Sequence, residues 1–234
     1  MAMKPVARRQ PSLSDEPRWH ASVAVLVALA LYITLPPKLT IGPVWVAPLL
    51  VLAVLVPLSV AAPHRHAETR RTRGWSIGLI AIVNFFNIAS VLLLINGFFH
   101  PAKVVHLSSA GVLLRNGAQI WITNIIVFAL WFWELDGDGP GARARARASD
   151  ELRAADFLYP QMQLYAGAEG AVRANAWKPQ FLDYVYLAFT NATAFSPADA
   201  FPLTRRAKCL MLVEAMISLT TIAIVLARSV SLIG

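Results

Sequence analysis

The sequence predicts an all-α integral membrane protein with five transmembrane helices and one re-entrant half-helix before the last span. Three observations carry that expectation. Of 234 residues, 57% are hydrophobic and 15% charged, and the charges fall between long uncharged runs. A soluble domain of this size cannot hide so much apolar surface without exposing patches that associate. Second, the apolar runs approach or reach the roughly 20 residues that a helix needs to cross a hydrocarbon core about 30 Å thick. Third, Lys and Arg gather in alternate connections, as they do when loops are held on one side of a bilayer.

Residues 1–19 form a polar N-terminal tail, longer and more polar than the lead of a cleaved signal peptide, so the first run is read as a retained span. That run covers about 20–36 and stops at Pro36 and Pro37, because proline has no amide hydrogen and disfavours helix in the residue before it. The second, about 43–62, contains Pro48 and Pro57, and both are expected to kink it. The third, about 75–98, is uncharged, and its Asn84 and Asn87 are spaced to share a helix face. Buried amides at such positions join helices by hydrogen bonds. Residues 101–116 are amphipathic and too short to span, which predicts a separate surface helix. The fourth run, 117–134, carries three Trp and the polar Asn124.

A long polar connection, 135–180, follows. Its opening "LDGDGPG" breaks the fourth helix. The acids Glu134, Asp136 and Asp138 read as capping this breaker rather than as metal ligands. A short surface helix is expected next, with Ser149 as N-cap and Asp150 and Glu151 in its first turn. The final run, 207–229, contains one acid, Glu214. An ionisable group inside a bilayer is costly and faces a partner or a cavity. An Asn, or an Arg reaching from 205 or 206, is the expected partner. The chain thus divides into the tail, a three-span part at 20–116, and a unit at 117–234.

The net charge is +8, and 17 of the 21 Lys and Arg fall on one side of a five-span arrangement. That side holds the N-terminus, the loop with His64 and His66, the long connection and the approach to the last helix. It is expected to be cytoplasmic, with the chain in a bacterial inner membrane. The basic loops are read as touching anionic lipid, and nucleic acid is not an expected partner. The lone Cys209 excludes an intrachain disulfide. The sequence has no Walker loop, GxSxG, HExxH or dinucleotide fingerprint, so neither enzymatic activity nor a cofactor is expected.

The stretch 181–195, "FLDYVYLAFTNATAF", is too short to span and too apolar for a solvated loop. A half-helix that enters the bilayer, stops and returns by 204 meets both constraints. Thr190, Asn191, Thr193, Ser196 and Asp199 would cluster where it ends. This half-helix, the polar turn, Asp199-Ala-Phe-Pro-Leu-Thr204, a basic residue and an apolar helix with an early Glu resemble the pore module of potassium channels. The resemblance covers about 117–232. Thr193 stands at the filter threonine, Asp199 at the following Asp, and Pro202 and Thr204 at the trailing pair. Phe195 and Pro197 occupy the filter glycine positions, so a carbonyl ladder of the potassium type is not expected.

What the resemblance implies is a weakly selective channel for monovalent cations, assembled as a homo-oligomer with four chains around the axis. Asp199 would concentrate cations, Thr190, Asn191, Thr193 and Ser196 would replace hydration oxygens, and Glu214 would set the cavity field. The layout is also similar to uncharacterised bacterial multipass proteins. Two alternatives stay open: a non-conducting membrane scaffold or binding protein with a dry hairpin, and a small-solute transporter with its site at the hairpin and Asn84/Asn87.

Overall fold

The computed structural model describes residues 19–61, 70–100, 109–149, 155–162, 177–194 and 200–233. In chain order these contain α1 (Trp19–Ile33), a 3-10 turn (Pro37–Leu39), α2 (Val46–Ala61), α3 (Arg70–Phe99) and α4 (Ala110–Leu135). They continue through α5 (Pro140–Ser149), β1 (Phe157–Leu158), α6 (Phe181–Ala194), β2 (Phe201–Pro202) and α7 (Arg205–Ile233). The two strands pair antiparallel, Phe157 opposite Pro202 and Leu158 opposite Phe201. This small ladder is an addition to the all-α expectation.

Three helical stretches are long and apolar enough to cross a membrane, over Thr72–Phe99, Ala110–Arg145 (α4 with the start of α5 beyond the break at 136–139) and Arg205–Ser231. α1 and α2 are apolar but only 15 and 16 residues long, a rise of about 22 to 24 Å. Large apolar side chains such as Phe85, Leu92, Leu212, Met216 and Val230 point outward, while Asn87, Asn124, Asn191, Glu214 and Ser218 point inward. Such an inside-out distribution suits an apolar surrounding.

Several local expectations change. Residues 110–116 are not part of a separate surface helix. They are the first turns of α4, whose N-terminus is capped by Ser109 accepting from the Val112 amide. Burial of Leu113 and Asn116 against the bundle draws them in; residues 101–108 lie outside the described part. The unit boundary drawn at 117 therefore falls inside α4. Ser149 is the last described residue of α5, in a helical and not an N-cap position, and Asp150 and Glu151 lie outside the described residues. Pro140 starts α5, where its fixed φ suits a first helical position. Pro48 sits in the first turn of α2, where no intrahelical amide bond is lost, so only Pro57 lies in the helix interior.

The contacts give each helix a direction. Ala21 and Phe181 pack near Trp133 and Phe132, and Gln119 donates to Thr34 at the opposite end of α1. Ala47 joins Leu94 and Leu113 at that second end, whereas Leu55 joins Leu79 and Leu130 towards the first. Successive long helices thus run antiparallel between an Asp136 end and a Ser229 end. α6 is different. Phe181 stacks edge-on against Trp133, and Phe189 against Trp121, so the helix descends beside α4. By Phe201 the chain is back at the Asp136 end, paired with β1.

α7 packs tightly against α4 at Gly117. A Cβ there would lie 2.4 Å from the Val225 Cγ2. Gly117→Ala is expected to destabilise the bundle by about 1 to 3 kcal/mol, and adding Val225→Ala should restore part of that loss. Thermal unfolding in detergent of the three variants checks it, since a mere propensity effect of Ala would stabilise α4 instead.

Candidate functional site

Two buried polar clusters lie in the unit formed by α4, α6 and α7. The first sits at mid-bundle. Asn87 of α3 donates to the Asn124 Oδ1 at 3.1 Å. The Asn124 amide nitrogen in turn donates to the Ser218 Oγ at 3.0 Å and, more weakly, to the Glu214 carbonyl at 3.4 Å. From α6, the Asn191 Nδ2 donates to the Glu214 Oε2 at 2.7 Å and to the Met211 carbonyl at 2.9 Å. Side chains of α3 and α4 thus reach α7 through the Asn124 amide, and α6 reaches the Glu214 carboxyl through Asn191. Glu214 is 0% exposed, and its Oε1 has no hydrogen-bond partner among the described residues.

Glu214 takes Asn191 as its partner, and not Arg206, which is engaged elsewhere. Asn87 is buried in the network, whereas Asn84, on the same helix, has a buried Oδ1 without a partner among the described residues. Of the filter-like residues, Asn191 faces α7. Thr190 donates to the carbonyls of Tyr186 and Leu187, and Thr193 to those of Phe189 and Thr190. Both hydroxyl protons are thus held by their own helix, which continues to Ala194. Ser196 and Asp199 lie outside the described residues.

The second cluster is a clasp at the Asp136 end, and sequence reasoning missed it. Helix α4 stops at Asp136 because Gly137, Asp138 and Gly139 all take positive φ. Gly139 is tightly placed: a Cβ on it would lie 3.0 Å from the Glu134 carbonyl. This turn aims Asp136 inward, where its carboxylate accepts from the amides of Asp156 (2.8 Å) and Phe157 (3.3 Å) and from the Tyr184 hydroxyl (2.6 Å). The Arg143 guanidinium donates to the carbonyls of Trp133 and Asp136 and lies over the Tyr184 ring. Glu134 is buried beside Arg73, 3.8 Å from its Nε. Glu134 and Asp136 are therefore internal anchors, not exposed caps of a loop.

Asp156 ties the other strand of the clasp. It is 1% exposed and accepts from Arg206 Nε and Nη2, each at 2.7 Å, from Thr204 Oγ1 at 2.5 Å and from the Gly137 amide at 3.1 Å. Thr204 also caps α7 by accepting from the Ala207 amide. Burial alone would raise the Asp156 carboxyl; the hydrogen bonds from Arg206, Thr204 and Gly137 and the Arg206 charge outweigh it and hold the group below its ordinary range. Burial, with the Asp136 and Asp183 charges, raises the Tyr159 phenol. The sequence signal for the clasp is faint: an acid ahead of Phe157-Leu158 and an Arg at the head of α7, 50 residues apart.

No family model matches the chain, and no curated protein or solved structure matches it.

Proposed function

We propose that this chain is an integral membrane protein that moves small monovalent cations, protons or alkali ions, with Glu214 as the binding group. The observation that carries the reading is a buried carboxyl at mid-bundle with one oxygen held by Asn191 and the other unpartnered. On insertion scales an ionised Asp, Lys or Arg at the centre of a membrane helix costs about 2.5 to 3.5 kcal/mol. No cationic side chain bonds Glu214 among the described residues, so a proton or a bound cation balances it. Five crossings and a dipping α6 complete the reading. Support for the dip comes from both flanks of 181–204 meeting α4 at its Asp136 end while Asn191 reaches the level of Glu214. The Lys and Arg distribution supports a cytoplasmic Asp136 end.

In the pore-module arrangement α4 is the outer helix, α6 the half-helix and α7 the inner helix. The polar side chains of this chain converge inside the protomer, and the exposed faces of α6 and α7 carry Leu182, Phe189, Leu212 and Met216. The ion site is therefore internal to each chain rather than on an axis shared by four. The hydrogen bonds that tie Asn87, Asn124, Asn191 and Ser218 into the bundle favour one second reading, a non-conducting scaffold.

Flux into proteoliposomes separates them. Potassium, sodium and proton gradients are imposed in turn, and the reading expects flux of at least one ion, reduced at least about tenfold by Glu214→Gln. Glutamine keeps the shape and the Asn191 contact, so folding should persist. Absence of flux in every gradient from well-folded protein overturns the reading.

A further inference from the structure

The buried face of α7 changes character along its length. Towards the Asp136 end it is apolar, through Ala207 and Met211, and packs against Phe128, Phe132, Tyr184 and Leu187. From Glu214 to the Ser229 end it is mostly polar. Glu214, Ser218, Thr221 and Ser229 are all buried, at spacings that keep them on one helix face. Val225 is the apolar interruption, wedged against Gly117. Across from this stripe, α4 supplies Asn124, and Asn116 stands next in the chain to Gly117, the residue that meets Val225. Asn116 is 0% exposed, and neither its Oδ1 nor its Nδ2 has a partner among the described residues; the Ser229 Oγ lacks one too. Buried amides and hydroxyls without protein partners are the groups that ordered water or a passing hydrated ion satisfies.

We infer that the seam between α4 and α7 is a water-accessible half-path that joins Glu214 to the Ser229 end alone. Val225 is its constriction. The aromatic cluster of Phe128, Phe132 and Tyr184 seals it from the Asp136 end. Its meaning as an ion path rests on the Glu214 reading, but water access can be measured whether or not the chain moves ions. Access from one end with a seal at the other makes Glu214 exchange with a single side of the bilayer in this conformation.

The test labels single cysteines with a small, membrane-impermeant cationic methanethiosulfonate in sealed vesicles of both orientations. The background carries Cys209→Ala, which removes the exposed native thiol. Ser218→Cys, Thr221→Cys and Ser229→Cys are conservative in size, and elution as a single species in detergent verifies folding. Labelling of all three is expected from the Ser229 side only, fastest at Ser229. Adding Val225→Ala should speed labelling at Ser218 and Thr221 by about tenfold, because access there is governed by local opening. Met211→Cys should stay unlabelled from either side. Labelling of Ser218→Cys or Thr221→Cys from the Asp136 side overturns the inference. So does their silence from both sides with Val225→Ala present. Loss of flux with the labelling pattern intact would sink the proposed function and leave the half-path standing.

Discussion

Asp156→Ala should lower the unfolding free energy by about 2 to 3 kcal/mol, because it removes the hydrogen bonds accepted by one buried carboxylate. Asp156 holds four donors from three residues in two stretches of chain: Gly137 after α4, and Thr204 and Arg206 (twice) at the start of α7. Its own amide donates to Asp136, and its carbonyl accepts from Leu203. Removing the carboxylate breaks the bond it accepts from the Gly137 amide, while Arg206, about half exposed, recovers water. Arg206→Ala should cost at least as much, because it strands the carboxylate, which is 1% exposed. A double-mutant cycle should yield a coupling within about 0.5 to 3 kcal/mol. Additive single effects would mean that the pair is geometric only.

The same carboxylate gives a pH signature. Its folded value is lowered, so its stabilising contribution is complete above the unfolded-chain value of about 3.9 and drains as pH falls below that, through the folded value. Stability of the wild-type chain should therefore fall on acidification below about pH 4. Asp156→Asn should flatten that slope, and equal slopes for the two proteins would refute the assignment. Denaturant titration in lipid bicelles at stepped pH measures both.

Asn191→Leu should have the second-largest effect. It removes the bond to the Glu214 Oε2 and the bond to the Met211 carbonyl, which together join α6 to α7. Interhelical hydrogen bonds within membranes contribute about 0.6 kcal/mol on average and up to about 1.7. The carboxyl adds a desolvation penalty once its partner is gone, so a loss of about 2 kcal/mol is expected. Asn124→Leu disrupts three bonds but none to the Glu214 carboxyl, and should cost less while also weakening the contact with α3. A larger loss for Asn124→Leu than for Asn191→Leu would place the centre of the network at the amide rather than at the acid.

Helix positions were readable because apolar length and proline stops act locally. The run at 75–98 became α3, and Pro36-Pro37 lies just past the end of α1. The reading of 101–116 as a separate surface helix rested on its amphipathic pattern and short length, and an exposed Arg115 on one face does not prevent Leu113 and Asn116 on another from joining α4. The Ser149 cap failed in the same way, because Pro140 offered an earlier start. Among the candidate residues, burial of Asn87, Asn124, Asn191 and Glu214 followed from polarity inside apolar runs.

By itself the sequence determined which segments are helical, that their surroundings suit apolar side chains, and which few polar groups had to find partners. Those follow from composition and short-range stereochemistry, which need no knowledge of neighbours. Only the tertiary structure decided who the partners are. Asn191 meets Glu214 across 23 positions, Asn87 meets Asn124 across 37, and Arg206 meets Asp156 across 50. A hydrogen bond depends on distance in space, and the turn of Gly137 to Gly139 that brings Asp136 and Asp156 together is set by packing as much as by its glycines.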